Sequence, residues 1–308
     1  MPLFVVAGPT ASGKTEIAVK IAKRLDGEIV GADSMQVYRG MRIGTAAPSS
    51  EELDGVPHHM IGIVDPDRPY DAVVYARDAD RVIEGIAARS RRAIVAGGTG
   101  LYIRVLLRGL QGGPPPDPRL RERISQRAER DGWPALHREL AAIDPPTAER
   151  LHPNDGVRIL RALEVAEQSG VALSEWQRRH RFGERRYPAR ICAVDRERED
   201  LDRRIARRVE LMMERGFLDE VRGLLARGYD PSLKPLQGLG YRRICQHLAG
   251  ELSLAEAVEK TRVDTRRLAR RQRTWLRGES GVEWIAPDEA EWIRRARSFF
   301  ESESEPPR

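Results

Sequence analysis

Residues 8–15 read G-P-T-A-S-G-K-T and fit the phosphate-binding pattern G-x-x-x-x-G-K-[ST] at every position. An apolar stretch at 3–7 precedes this segment and a helical pattern at 14–25 follows it, which is the strand–loop–helix context that such a loop requires. Glycines let successive amides point at phosphate oxygens, the lysine adds positive charge, and the last hydroxyl can bind magnesium. We therefore predict a loop that binds a di- or triphosphate, with Thr15 as a ligand of Mg²⁺. The predicted loop consists of Gly8, Pro9, Thr10, Ala11, Ser12, Gly13, Lys14 and Thr15.

Short apolar stretches alternate with helical patterns along the first hundred residues, which predicts a parallel sheet with crossover helices. The predicted strands cover 28–32, 59–64 and 93–96, and a predicted helix covers 72–88. Asp33 directly follows one strand, and Thr99 lies in the G-G-T-G segment after another. Because ligands bind outside the carboxyl ends of parallel strands, we expect Asp33, Thr99 and the phosphate-binding loop to share one cleft. There Asp33 could hold a metal ion, accept a proton from a nucleophile, or only cap the following turn.

The pattern changes at G-G-P-P-P, residues 112–116, and stays helical or turn-like from 117 to 188. Asp117-Pro118 and Pro145-Pro146 resemble helix starts, with proline in the first turn. Residues 191–194 return to a strand pattern that rejoins the sheet, and amphipathic helices follow at 198–215, 218–227 and 253–277. The predicted fold is α/β, a P-loop NTPase-like parallel sheet core flanked by helices, with an all-helical insertion domain. The predicted domains are the first part of the core (1–113), the helical insertion (114–188), the second part of the core with basic C-terminal helices (189–303) and a disordered tail (304–308), structure being lost after Phe300.

Positive charge is concentrated in the last long helix. The formal net charge is +6, but 48 arginines against five lysines reflect biased composition as much as binding. Residues 262–277 hold seven arginines and one aspartate, a local net charge of 7 − 1 = +6, and this predicts a nucleic-acid partner. Five arginines recur on one side of the helix, Arg262, Arg266, Arg270, Arg273 and Arg277, while Leu254, Val258, Leu268, Trp275 and Leu276 can face the core.

Composition also excludes several classes of protein. No apolar stretch approaches the roughly 18–20 residues of a membrane span, and residues 3–7 are too short for a signal-peptide core. Cys192 and Cys245 cannot build a disulfide framework or a four-ligand zinc site. We expect a cytoplasmic protein that does not bind membranes.

Taken in order, the motifs resemble the bacterial tRNA dimethylallyltransferases of the IPP transferase family. The similar segments are G-P-T-A-S-G-K-T, D-S-M-Q-V-Y-R-G-M-R-I-G-T-A (33–46), P-H-H (57–59), G-G-T-G-L-Y (97–102), H-P-N-D (152–155), R-A-L-E (161–164), R-I-A-R-R-V (204–209), G-Y-R (240–242) and A-R-R-Q-R-T-W-L-R (269–277). That family transfers a dimethylallyl group from its diphosphate to the exocyclic amine of the adenine 3′ of the anticodon in tRNA, and pyrophosphate leaves. Where the family usually has lysine after I-G-T-A, this chain has Ala47.

The resemblance implies a role for each matching residue. Asp33 is the general base, Thr99 lies near the leaving oxygen and the tRNA, and Lys14 and Arg208 complete the catalytic set. Arg204 and Arg208, four residues apart on one helix face, bind the diphosphate with the loop. The implied tRNA-binding residues are Asp33, Ser34, Met35, Gln36, Thr99, Arg121, Val157, Arg158, Ile159, Leu160, Arg161, Gln237, Gly238, Leu239, Gly240, Tyr241, Arg242, Arg270, Arg271, Gln272, Arg273, Thr274, Trp275, Leu276 and Arg277. The implied partners are dimethylallyl diphosphate and a tRNA anticodon stem-loop. The helical insertion is expected to hold the stem-loop, and the enzyme is expected to be a monomer.

Three alternatives remain open on the residues alone. A P-loop kinase or NTPase would use Asp33 or Asp195 to hold its metal and would not need the arginines of the last helix. A non-catalytic nucleic-acid-binding module would leave the phosphate-binding loop unused. A transferase acting on a free adenine nucleotide would not need the insertion or the basic helix, so these features favour a polymeric substrate.

Overall fold

The computed structural model describes residues 1–109, 113–180 and 185–303 of the 308-residue chain. The chain forms two compact units, of which the first comprises Met1–Leu107 and Arg186–Arg308 and the second Arg108–Arg185. In the described residues each unit has its own apolar core.

A six-stranded sheet forms the centre of the first unit, and every neighbouring pair of strands is parallel. Its strands are β1 (Leu3–Ala7), β2 (Gly27–Ala32), β3 (His58–His59), β4 (Arg92–Gly97), β5 (Ala189–Val194) and β6 (Val282–Ile285), in the spatial order β3-β2-β4-β1-β5-β6. The register pairs Ala7 with Gly97 and Ala193, and Gly97 with Ala32. The loops after β1, β2, β4 and β5 therefore begin at one edge of the sheet, and the predicted α/β class is confirmed.

The helices of the described residues alternate with these strands and fill the second unit. They are α1 (Lys14–Leu25), α2 (Ser50–Leu53), α3 (Ala72–Ala88), α4 (Gly100–Arg108), α5 (Pro118–Asp131), α6 (Trp133–Ile143), α7 (Pro145–Arg150), α8 (Gly156–Ser169), α9 (Leu173–His180), α10 (Arg198–Glu214), α11 (Phe217–Ala226), α12 (Tyr241–Leu248), α13 (Leu254–Gly278) and α14 (Glu289–Ser302). The bounds of α1 and α3 agree with the sequence prediction, because Gly13 and Asp71 begin these helices and the apolar period continues to their last turn.

The structure corrects the prediction at both edges of the sheet. The strand predicted at 59–64 is only the two residues of β3, because the left-handed backbone of Met60 and Gly62 turns the chain away and leaves a single bridge between Tyr38 and Val64. Strand β6 and helix α14 were not predicted. Buried Trp292, Phe299 and Phe300 of α14 pack in the core beside Phe4 of β1, and this burial keeps Glu301 and Ser302 helical where disorder was predicted. The predicted tail 304–308 lies outside the described residues.

The second unit contains helices α5 to α9 around a core that includes Leu120, Leu140 and Leu163. Both predicted helix starts are present, because Asp117 and Asp144 cap α5 and α7 with their carboxylates.

The bounds of this unit differ from the predicted 114–188, since it begins at Arg108 and ends at Arg185. Backbone hydrogen bonds tie the returning chain to the first unit, from Arg186 to the Leu107 carbonyl (3.0 Å) and from Leu3 to the Pro188 carbonyl (2.9 Å).

Candidate active site

The phosphate-binding loop connects β1 to α1 through backbone conformations that favour glycine. Gly13 has φ +90°, and a Cβ on Gly8 would lie 2.7 Å from the Ser12 hydroxyl, so side chains are excluded at both glycines. No side chain caps the first turn of α1, which leaves its backbone amides open to an anion.

Lys14 extends back over the loop, and its ammonium donates to the Pro9 carbonyl (3.4 Å). Burial and, to a lesser extent, the nearby Arg208 charge lower the pKa of Lys14, the Asp33 carboxylate opposes both, and the resulting pKa is about 8. The ammonium is thus poised for an anion that would restore its full charge.

Three arginines from beyond β5 contact this loop. Arg204 donates to the Ala11 carbonyl (3.3 Å) and Arg208 to the Thr10 hydroxyl (3.5 Å), so both predicted arginines lie at the loop. Burial is the main cause that lowers the pKa of Arg208.

Arg196 was not predicted, yet it donates to the Ser12 carbonyl at 2.6 Å and forms an ion pair with Asp200. Its position two residues after β5, at the same edge of the sheet as the loop, is the signal that could have identified it.

Asp33 and Thr99 connect the loops after β2 and β4. One oxygen of Asp33 accepts from the amides of Met35 (2.9 Å) and Gln36 (3.3 Å), so the carboxylate does cap the following turn. Its other oxygen accepts no hydrogen bond from the residues that the structure describes, and Asp33 lines the cavity described next. The Thr99 hydroxyl accepts from the Ser34 amide (2.9 Å), and the Thr99 amide donates to Ala32 (3.1 Å). Capping and an active-site role are therefore compatible at Asp33.

A cavity of about 1110 Å³ in the first unit extends from the phosphate-binding loop. Thr10, Lys14, Thr15, Asp33 and Arg208 line it together. One part of the lining is apolar and comes from the 43–48 segment and from α10: Ile43, Ala46, Ala47, Pro48, Leu211 and Met212. The rest of the lining includes polar and charged side chains, among them Glu51 and Glu52. The cavity thus offers a cationic end and an apolar wall.

The loop that carries the apolar wall is held by Glu220 of α11. Its carboxylate accepts from the amides of Arg42 (2.8 Å), Ile43 (2.7 Å) and Gly44 (3.0 Å), and from the Tyr241 hydroxyl (2.6 Å). Glu220 was not predicted, because no motif relates it to residues 42–44 and only the tertiary structure brings them together.

Gln36, predicted to bind tRNA, instead donates to the carbonyls of Thr45 (3.2 Å) and Ala46 (3.1 Å) in the same loop. The backbone of Ala47, at the position of the family lysine, donates to the Arg42 carbonyl (2.9 Å).

The run 270–277 on α13 divides into two faces. Arg270, Arg271, Thr274 and Arg277 are exposed, and none of these three arginines has an ion pair within the described part of the chain. Leu276 is 3% exposed, so its predicted tRNA contact is wrong: its side chain points into the protein. Gln272 is half-buried, and its side-chain amide binds Thr10 and Gly98.

Other members of the basic run face inward as well. Arg273 pairs with Asp195 (3.1 Å), and the Trp275 ring packs against Gly100 and under the guanidinium of Arg104 (5.1 Å). Leu254 was expected in the core but is 37% exposed, because the buried positions of α13 are Ala257, Thr261, Asp264, Ala269 and Leu276.

The predicted tRNA segment 237–242 is also mostly structural. Tyr241 is fully buried against Phe217, so its predicted tRNA contact is wrong. Gly240 is buried, and a Cβ on Gly238 would lie 2.5 Å from the Met35 methyl group, so these glycines serve close packing. The guanidinium of Arg242 lies 3.6 Å from the Asp264 carboxylate, and Leu239 is half-buried. Gln237 is the residue of this segment that is exposed.

In the second unit, α8 likewise has an outer and an inner face. Val157 is 84% exposed and Arg158 is exposed beside Asp155, whereas Ile159 is fully buried in the core and its predicted tRNA contact is wrong. Leu160 packs against that core.

Arg121 and Arg161 both bind the buried carboxylate of Glu164, at 2.8 and 2.6 Å. Desolvation would raise the pKa of Glu164, but these guanidinium hydrogen bonds outweigh it and hold the pKa below its ordinary value. Both arginines therefore stabilise the unit whatever else they contact.

No group of three or more His, Cys, Asp or Glu residues that could hold a metal occurs among the described residues. Thr15, however, brings a hydroxyl oxygen to the cationic end of the cavity. A hydroxyl ligand at this position fits magnesium, which commonly takes one or two protein oxygens together with substrate phosphates. Among the described residues, no helix is long and apolar enough to cross a membrane.

A P-loop, Arg204, Arg208 and a strand-end carboxylate line one cavity, an arrangement typical of P-loop enzymes that act on di- or triphosphates. The family model described as IPP transferase matches residues 36–279. The chain belongs to the IPP transferase family.

Relatives and solved structures agree with that membership. The chain is 53% identical over 285 residues to the tRNA dimethylallyltransferase of Syntrophobacter fumaroxidans, covering 92% of this chain and 83% of that protein. It is 50% identical to the enzyme of the same name from Geobacter metallireducens, with 92% of each chain covered.

Its fold is similar to the crystal structure of the tRNA isopentenylpyrophosphate transferase from Bacillus halodurans (TM-score 0.71, 36% identity, covering 98% of this chain and 96% of that chain). It is also similar to a eukaryotic dimethylallyltransferase acting on tRNA (TM-score 0.79, 25% identity, covering 100% and 81%). The predicted family and enzyme class, a transferase, are confirmed.

Proposed function

We propose that this chain transfers a dimethylallyl group from dimethylallyl diphosphate to the exocyclic amine of the adenine 3′ of the anticodon in tRNA, with release of pyrophosphate. The observation that carries the proposal is the single cavity that joins the phosphate-binding loop to Asp33 and an apolar wall. A diphosphate, a short branched hydrocarbon and an amine nucleophile require these three environments. The names of the chain's relatives point to the same reaction.

The cationic end of the cavity stabilises the leaving group. When the allylic carbon–oxygen bond breaks, negative charge develops on pyrophosphate, and the open amides at the start of α1 lie beside Lys14 and Arg208 to receive it. Arg204, which also lines the cavity, adds a further positive charge. Magnesium held by the Thr15 hydroxyl would add positive charge to the diphosphate.

Asp33 acts as the base towards the attacking amine. The lone pair of an adenine amine is delocalised into the ring, so removing its proton during attack lowers the barrier. The Asp33 oxygen that caps the turn fixes the carboxylate, and the other oxygen is available to accept the proton. Thr99 holds the Ser34 amide and so keeps the segment after β2 against the loop after β4.

The exposed arginines of α13 supply the electrostatic attraction for tRNA. Arg270, Arg271 and Arg277 are exposed, and such arginines bind phosphates independently of sequence. The target adenine leaves the anticodon loop to enter the cavity, which costs less in a single-stranded loop than in a duplex.

In the second unit, exposed Val157 and Arg158 are the proposed contacts to the stem-loop, and Arg121 and Arg161 contribute through Glu164. One chain engages one stem-loop, so we propose a monomer, and tRNA as substrate implies a cytoplasmic site of action.

Incubation with Mg²⁺, dimethylallyl diphosphate and an unmodified tRNA with adenine 3′ of the anticodon tests the proposal. Digestion followed by mass spectrometry should detect a dimethylallyl group on that adenine and an equal amount of pyrophosphate. Two comparison reactions use a free adenine nucleotide in place of the tRNA, and ATP in place of dimethylallyl diphosphate. ATP hydrolysis without transfer to tRNA, or transfer to the free nucleotide alone, would overturn it.

The kinase alternative receives no support from Asp195, whose carboxylate pairs with Arg273 and does not line the cavity.

A further inference from the structure

The side chain of Gln272 on α13 joins two loops of the active site. Its carbonyl oxygen accepts from the Thr10 amide at 2.8 Å, and its amide nitrogen donates to the Gly98 carbonyl at 3.0 Å. Both functional atoms of the amide are therefore used, one on the phosphate-binding loop and one on the loop after β4.

The backbone around Gly98 is shaped to receive this amide. A Cβ at position 98 would lie 2.5 Å from the Gln272 amide nitrogen and 3.1 Å from the Gly8 carbonyl oxygen. Contacts this close are repulsive, so the hydrogen bonds of Gln272 depend on glycine at position 98.

Hydrogen bonds continue on both sides of this bridge. In the phosphate-binding loop, Arg208 donates to the hydroxyl of Thr10 (3.5 Å). In the loop after β4, Thr99 follows Gly98 and its hydroxyl accepts from the amide of Ser34 (2.9 Å), the residue after Asp33. Gln272 thus lies between the group that binds the diphosphate and the group that we propose accepts the proton.

The neighbouring side chains of the same helical turn reinforce this arrangement. Arg273 donates to the Arg196 carbonyl (3.3 Å), and Arg196 donates to the Ser12 carbonyl (2.6 Å). Arg270 and Arg271, in contrast, are exposed on the other side of the helix. The inward face of this turn therefore organises the strand-end loops, while its outward face is free for an anionic partner.

We propose that Gln272 is a positioning residue for the transfer reaction, which sets the phosphate-binding loop and the Gly98–Thr99 segment in register, and that it is not a tRNA contact. The inference rests on the proposed function. Transfer requires the allylic carbon and the adenine amine at near-attack distance, and a shift of about 1 Å between their binding groups can lower the rate about 100-fold.

The first test replaces Gln272 by methionine, which has a similar length but neither hydrogen-bonding group. We expect Gln272→Met to lower kcat about 10- to 100-fold while the KM for tRNA changes less than about twofold. Arg271→Ala is the contrasting variant on the outward face and should raise the KM for tRNA while kcat is retained.

A second test uses pH with Gln272→Glu. A protonated carboxyl group offers one donor and one acceptor as the amide does, whereas the ionised group lacks the donor that Gly98 requires. The ratio of variant to wild-type kcat should therefore rise as pH falls towards about 4.3, the ordinary pKa of glutamate. Gln126→Glu, the same substitution at an exposed position of α5, should give a flat ratio.

A third variant, Gly98→Ala, displaces the amide while Gln272 itself is unchanged, and it decides the matter if Gln272→Met does not fold. We expect the same loss in kcat with an unchanged KM for tRNA. Wild-type kcat in Gln272→Met or in Gly98→Ala, or a raised KM for tRNA with kcat intact, would overturn the inference. Failure of the wild type to modify tRNA would instead overturn the proposed function.

Discussion

The strand-end loops and the helices of this protein present their predicted site residues in opposite ways. Every predicted residue of the loops after β1, β2 and β4 lies at one edge of the sheet, and several line one cavity. On α8 and α13, a continuous predicted segment contains both exposed and buried residues; on α8, for example, Val157 is exposed and Ile159 is fully buried. A loop at a strand end can turn consecutive residues towards a ligand, whereas a helix rotates each successive side chain by about 100°. A motif on a helix therefore mixes binding residues with core residues.

The largest expected effect tests the loop side of this comparison. Asp33→Asn retains an oxygen that can cap the Met35 amide but removes the base, so we expect kcat to fall about 10²- to 10⁴-fold. The affinity for tRNA should stay close to that of the wild type. Kinetic assays measure the rate of transfer, and filter binding measures the affinity for tRNA. Loss of tRNA binding in this variant would show that Asp33 binds the substrate and does not act as the base.

The helix side is tested by a matched pair on α8. Ile159→Ala should lower the free energy of unfolding by about 2–5 kcal/mol, because it leaves a cavity in the core of the second unit. Val157→Ala, two residues away and 84% exposed, should change it by less than about 0.5 kcal/mol. Denaturant unfolding measures both, and tRNA affinity measured for the folded proteins should respond to Val157 alone. Equal effects of the two variants on stability would break the distinction between the faces.

A smaller effect separates paired from unpaired arginines on α13. Arg271→Gln should reduce the salt dependence of tRNA binding by about 0.7–0.9 in the slope of log K against log salt, as expected for one lost phosphate contact. Arg267→Gln removes a guanidinium 3.5 Å from the Asp264 carboxylate and should leave the slope unchanged. Titrations across a range of KCl concentrations measure both slopes. If Arg267 lowers the slope as much as Arg271, ion pairing within the protein does not select the binding arginines.

The smallest expected effect concerns the charge of Lys14. Because burial holds its pKa at about 8, the free enzyme loses the ammonium charge as pH rises through 8. Pyrophosphate favours the charged form, so its Kd should increase about fourfold between pH 7 and 8.5 from this group alone.

Calorimetry with wild type and Lys14→Arg isolates this contribution, since arginine keeps its charge throughout the range and ionisation of pyrophosphate is common to both. Parallel pH profiles for the two proteins would show that Lys14 is fully charged in the free enzyme.

The sequence predicted the parallel sheet and the phosphate-binding loop because both depend on local signals, the apolar stretch of β1 and the glycines that follow it. It did not predict α14, although Trp292, Ala296, Phe299 and Phe300 have the spacing of a buried helix face. It missed Arg196 and Glu220, whose partners are far away in the chain: the Ser12 carbonyl and the amides of residues 42–44. The contact of Glu220 has no local pattern to identify it, whereas the position of Arg196 just after β5 did offer a signal.

What the sequence determined by itself is the family, the P-loop and the residues that follow the strands, since these depend on motifs whose geometry is local. The tertiary structure alone decided which members of each helical segment are exposed. It also showed that Gln272 binds Thr10 and Gly98, whereas the sequence grouped this residue with the arginines predicted to bind tRNA. The physical reason is that the exposure of a helical side chain depends on what packs against each face of the helix. The packing of α13 against the strand-end loops is set by residues more than 170 positions away in the chain.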